Sequence, residues 1–140
     1  MTDEKSSGEG RELLLMAGAG WVQAIDTSSG EIAWLLNLES PKPMTPSVGV
    51  VDGKVVIATS GQIYCVDHAS GKKLWQRPCL GASSRPTLLI DEGKIYLAGR
   101  SRSECFNLEG KQLWSASSPA MTGGYVALAT KNAAAQADVS

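Results

Sequence analysis

AIDTSSGEIAW, residues 24–34, returns twice further along the chain, as CVDHASGKKLW at 65–75 and CFNLEGKQLW at 105–114. Asp26, Asp67 and Asn107 correspond, as do Gly30, Gly71 and Gly110, and Trp34, Trp75 and Trp114. The tryptophans stand 41 and 39 residues apart, and the third copy is one residue shorter in its turn. Each copy has the form of a β-hairpin. An Asp or Asn side chain closing a strand can accept backbone N–H groups two residues on. A glycine then supplies the positive φ of the turn, and a strand carrying Trp follows. Between these hairpins lie apolar runs broken by turn residues, such as Val50 and Val51, then Asp52-Gly53, then Val55 and Val56. Asp-Gly between β-branched runs is a strong hairpin signal.

The spacing turns hairpins into an architecture. A period of about 40 residues with four strands each is the range of propeller blades. Laid out in order, the strands are predicted at 13–16, 22–25 and 32–36, then at 48–51, 55–58, 63–66 and 73–76. Four more follow at 88–90, 95–98, 104–106 and 112–115, and a last one at 125–129. The match of Met121-Thr122 with Met44-Thr45 supports that last assignment. The expected fold is all-β, a β-propeller of four-stranded antiparallel blades with three blades per chain. The final strand is the one missing from the first blade. It is expected to fill that vacancy at home or in a sibling molecule. Propellers carry about four to eight blades, so a homodimer giving a six-bladed ring is favoured over a trimer with nine. The expected domain runs over 11–130, between a disordered segment 1–10 and a disordered tail 131–140.

The repeats resemble the PQQ-like, quinoprotein-type propeller family. The shared pattern is A-x-D-x-x-x-G-x-x-x-W, carried by Ala24, Asp26, Gly30 and Trp34, then by Cys65, Asp67, Gly71 and Trp75. Cys105, Asn107, Gly110 and Trp114 carry it more loosely, and the likeness covers roughly residues 12–130. The resemblance implies that Trp34, Trp75 and Trp114 pack between neighbouring blades as a docking girdle. It also implies what a dehydrogenase of the family needs: a quinone, a calcium ion, adjacent cysteines and an eight-bladed ring. This chain has no adjacent cysteines, too few blades and no Asp, Glu and Asn cluster at calcium-ligand spacing. No cofactor, metal site or catalytic residue is expected, and the chain is read as a non-enzyme.

Composition bounds the partners. With 43% hydrophobic and 19% charged residues the chain reads as globular. A formal net charge of −1 gives no general pull toward nucleic acid or an anionic membrane. The opening MTDEKSSGEG is polar and no apolar run of signal length follows it, so a cytoplasmic location is expected. Three cysteines without a CxxC pair argue against a disulfide framework or zinc site. Cys65 and Cys105 share the place of Ala24, which suits small buried side chains.

His68, the one histidine, follows Asp67 and reads as a surface turn residue. Ala17-Gly18-Ala19-Gly20 lacks the Lys-Ser/Thr of a phosphate loop and reads as a hairpin turn. Arg100 and Arg102, with Arg85 and Arg77 in the same unit, depart from repeat symmetry. Arg100, Arg102 and Arg85 are candidates for binding an acidic peptide, phosphate or other anion. The expected function is a binding or scaffolding module for an unknown protein or peptide, working as a homo-oligomer. The alternatives are a receptor for a small anionic ligand in the central channel, or a fragment or engineered product of a longer propeller.

Overall fold

The computed structural model describes residues 12–39, 45–80, 86–99, 101–121 and 126–135. Tyr125, Arg85, Arg100, the segment 1–10 and the tail end 136–140 lie outside the described residues. Among the described residues every regular element is a strand.

The first sheet holds β1 (Leu13–Gly18), β2 (Trp21–Asp26) and β3 (Ile32–Asn37) in that order. The second holds β4 (Ser47–Val51), β5 (Lys54–Thr59), β6 (Gln62–Asp67) and β7 (Lys73–Pro78). The third holds β8 (Thr87–Asp91), β9 (Lys94–Gly99), β10 (Arg102–Asn107) and β11 (Gln112–Ser117). All pairings are antiparallel between consecutive strands. This is the up-and-down meander of a propeller blade.

Turn chemistry enforces it. Asp52 and Gly53 have φ of 50° and 73°, and Glu92 and Gly93 have 49° and 76°. Two successive left-handed residues make the turn that matches strand twist. Asp91, just outside the predicted strand 88–90, instead pairs with Lys94 inside the sheet, so that loop is two residues long. The Asp and Asn residues at the other hairpins act as read. Asp26 Oδ1 accepts the N–H of Ser28, Asp67 Oδ2 that of Ser70, and Asn107 Oδ1 those of Glu109 and Lys111. A bulge recurs beside each, at Ala24/Ile25, Cys65/Val66 and Cys105/Phe106.

The core sits between the sheets. One cluster joins Val22, Ala24, Trp34 and Leu38 to Val55, Ile57, Tyr64 and Val66. A second joins Val56, Ala58 and Ile63 to Ile95, Leu97 and Phe106. Alternate residues of β5 therefore serve opposite cores, and the strand is buried on both faces. Strand β1 alternates half-buried and exposed, because its sheet is covered on one side.

The last strand departs from expectation. It is Leu128–Ala129 (β12), and it pairs with Ala134–Ala135 (β13) in a sheet of two. It does not join β1, so the chain does not complete its own first sheet. Instead β12 and β13 lie against β8. The register is that of the repeat. Ser47 Oγ donates to the Pro86 carbonyl, and Thr87 Oγ1 donates to the Val126 carbonyl, each 39 residues on. Residues 126–129 thus stand where the first strand of a following blade belongs. Thr130 Oγ1 on Asp91 (2.7 Å) and Asn132 Nδ2 on Glu92 (3.2 Å) hold the hairpin. Residues 131–135, expected to be tail, take part in it.

Candidate interaction faces

Two joints link the three sheets, and both are built alike. Trp34 on β3 lies across Gly71 of the second sheet. A Cβ on Gly71 would meet the indole at 2.5 Å, so the ring occupies the space that any side chain would need. The Trp34 indole N–H donates to the His68 carbonyl at 2.8 Å. One repeat later Trp75 lies across Gly110, where a Cβ would meet it at 2.7 Å, and donates to the Leu108 carbonyl at 2.9 Å. His68 therefore serves the joint through its backbone, and its own N–H donates to the Gly53 carbonyl.

A second latch backs each joint. Tyr64 Oη donates to the Leu38 carbonyl, and the next repeat's Glu104 accepts the N–H of Leu80 at 2.9 Å. Both side chains reach the loop that leaves the preceding sheet. Gln23 holds the same position in the first sheet, where its amide lies 3.8 Å from Met16 Sδ.

The ends of the stack carry these parts unmatched. Trp114 is 46% exposed, against 8% for Trp34. It is held on its own sheet by Tyr96, ring centroids 6.3 Å apart. At the other end Gly30 has φ +80°, and a Cβ there would meet nothing within 4 Å. The outer face of the first sheet exposes Leu14, Met16, Trp21 and Leu35. A shallow hollow of about 230 Å³ opens between Met16, Trp21, Gln23 and Leu35. Sequence reading missed this face. The clue lay in the repeat: Leu14 and Met16 align with Val55 and Ile57, and with Ile95 and Leu97, all of which are buried.

Of the basic candidates Arg100, Arg102 and Arg85, Arg102 alone lies among the described residues. The Arg102 guanidinium lies 3.2 Å from Ser115 Oγ on its own sheet. Arg77 donates to the Gln76 carbonyl and lies over the Trp75 ring. A polar cleft of about 440 Å³ runs between the first two sheets, lined by Leu36, Leu38, Gln62, Tyr64, Lys73 and Gln76. Its amides and lysine bond one another: Lys73 Nζ to Gln76, and Gln76 to Gln62. Burial pushes the Cys65 thiol up to about 11, and burial followed by the Glu104 charge pushes Cys79 up to about 12. Such thiols stay protonated and unreactive at neutral pH. Among the described residues no three His, Cys, Asp or Glu gather into a metal-holding group.

Residues 18–139 match the sequence profile of a PQQ-like propeller family described as outer membrane protein assembly factor BamB. The chain belongs to this family. Among curated proteins none matches it. Solved structures agree on the fold. BamB from Moraxella catarrhalis superposes with a TM-score of 0.60 at 23% identity, over 74% of this chain and 32% of that one. A quinohemoprotein alcohol dehydrogenase from Pseudomonas putida HK5 gives 0.63 at 18%, over 76% and 19%. The computationally designed Ika8 protein gives 0.67 at 13%, over 91% and 41%. The family's fold thus houses both dehydrogenases and BamB, and this chain spans 19–41% of these neighbours' own length.

Proposed function

We propose that this PQQ-like chain is a non-catalytic module that works by binding protein through its uncovered blade faces. The observation that carries this reading is the open face of the first sheet. Leu14 and Leu35 are each 54% exposed there, beside Met16 and Trp21. Contiguous apolar side chains on a rigid sheet are an interaction surface, since their exposure to water is unfavourable. A propeller frame also holds such a face in one geometry, which lowers the ordering cost of binding. The BamB profile agrees with a scaffold role.

The test is a photo-reactive benzoylphenylalanine in place of Leu35. Protein adducts should form there in cells and be absent from the same probe at Lys111, on an exposed hairpin. Absence of any adduct at Leu35 overturns the reading, as would quinone-dependent dye reduction by the purified chain given quinone and calcium.

A second reading has its own observation. The β12–β13 hairpin stands in register as the start of a fourth blade, which suits a piece of a longer propeller whose further blades cover these faces.

A further inference from the structure

We propose that two copies of this chain join head to tail, with Trp114 of each laid across Gly30 of the other, closing a six-bladed ring. This rests on the protein-binding reading above and names the partner as a second copy.

The two ends are the two halves of one joint. The internal joints need a Trp on the leading sheet, and a glycine at positive φ and a turn carbonyl on the following one. Trp114 supplies the first part at one end, exposed and already braced by Tyr96. Gly30 supplies the second at the other end, with its cradle open. The Thr27 carbonyl takes the place of those of His68 and Leu108 as acceptor for the indole. Gln23 takes the latch position of Tyr64 and Glu104, toward the loop at Ser118. Leu14 and Met16 take the buried positions of Val55 and Ile57.

The inner edge gives an independent match. Among the described residues the first sheet has three strands, with β1 at its inner edge. β12 lies beside β8 where the inner strand of the next blade belongs. Setting a copy's first sheet against the third sheet brings its β1 alongside β12. There the six residues of β1 replace the two of β13 as its ladder partner. One joint at each end, repeated by a two-fold rotation, uses the Trp114 and Gly30 halves and the edge of β1. Three blades from each of two chains give a ring inside the usual range of about four to eight, and a closed ring leaves no open stack to grow.

Light scattering on four samples tests the joint: the full chain, Trp114→Ala, Gly30→Asn and an equimolar mixture of the two variants. Asn tolerates a positive φ while filling the cradle. Trp114 is half exposed and a Cβ on Gly30 would meet nothing within 4 Å, so both variants should keep the monomer fold, checked by circular dichroism. The full chain should have the mass of two chains. Each substitution falls in both joints of the ring, so each variant should dimerise about a thousandfold or more weakly, as for loss of two central aromatic anchors. The mixed dimer has one native joint and carries both substitutions in the other, so the mixture should dimerise more tightly than either variant alone. A benzoylphenylalanine in place of Trp114 should cross-link into residues 12–39 of another copy, whatever the variants do to stability.

A full chain that stays monomeric overturns the proposal. So does a dimer indifferent to both substitutions, or an adduct from position 114 to any other sequence. A monomer whose Leu35 probe still captures a different protein removes this joint and leaves the protein-binding reading standing. Silence at Leu35 removes both.

Discussion

At the scale of single residues, the repeat glycines do two jobs, and only one was legible in the sequence. Gly30, Gly71 and Gly110 were readable as turn residues, because a tight hairpin needs a positive φ there. That Gly71 also bears an indole was not readable, since its partner Trp34 belongs to another sheet and nothing local announces the approach. The two jobs can be separated by substitution. Gly53→Ala, at φ +73° with open space around it, should cost about 1–2 kcal/mol of backbone strain. Gly71→Ala, at φ +75°, adds a collision with Trp34 and should cost about 3–5 kcal/mol in urea unfolding, the excess being overpacking. Equal losses would show that the indole is not seated there. The turn carboxylate makes a second prediction. The Ser70 hydroxyl, 2.8 Å from Asp67, is the largest cause holding that carboxyl below its usual range, with burial opposing it. A lowered folded value means that the stability gained is whole above the unfolded value of about 4 and fades as pH falls through the folded one. Ser70→Ala should therefore weaken the protein at pH 7 by a few tenths to about 1 kcal/mol. The gap between wild type and variant should narrow as the acid limb is descended. A gap constant down to pH 2 would assign the effect to something other than that bond.

Among the elements, eleven strands were legible because the repeat fixes their spacing and most hairpins between them close on Asp, Asn or Gly. The twelfth was legible as a strand but not as to place. Where residues 126–129 settle depends on which sheet offers contacts, and that is a non-local choice between the edge of β1 and the face of β8. Within the chain β8 wins, because Thr87 and Asp91 reach across to Val126 and Thr130. Coverage then sets how firmly each element is held. β5 and β6 are paired on both edges and covered on both faces, so their amides should exchange at the rate of global unfolding. β11 has one partner and six exposed residues, and β12–β13 rests on two ladder pairs. Hydrogen-exchange mass spectrometry on the dilute chain should rank β5 and β6 slowest and β12–β13 fastest. If β1 takes over β12 in a dimer, protection of both should rise with protein concentration, while β5 keeps its place.

For the whole molecule, the question is whether a three-sheet stack is closed or open, and fusion answers it more sharply than mass alone. Two copies joined end to end in one polypeptide carry one internal joint and one closing joint. Closure should give a species with the mass of one fused chain, whose melting temperature ignores concentration. The single chain's should climb with concentration, as linkage to dimerisation requires. The decisive comparison is Trp114→Ala placed in either copy of the fusion. In a closed ring the first copy's Trp114 meets the second copy's Gly30, and the second copy's Trp114 meets the first copy's Gly30. The two substitutions then sit in equivalent joints and should cost the same, about 2 kcal/mol or more each. In an open stack of six blades the second copy's Trp114 faces water, so its removal should cost almost nothing while removal of the first still hurts. A single pair of unfolding curves thus separates a ring from a stack. It does so through one indole whose exposure in the lone chain is what first set it apart from its two repeats.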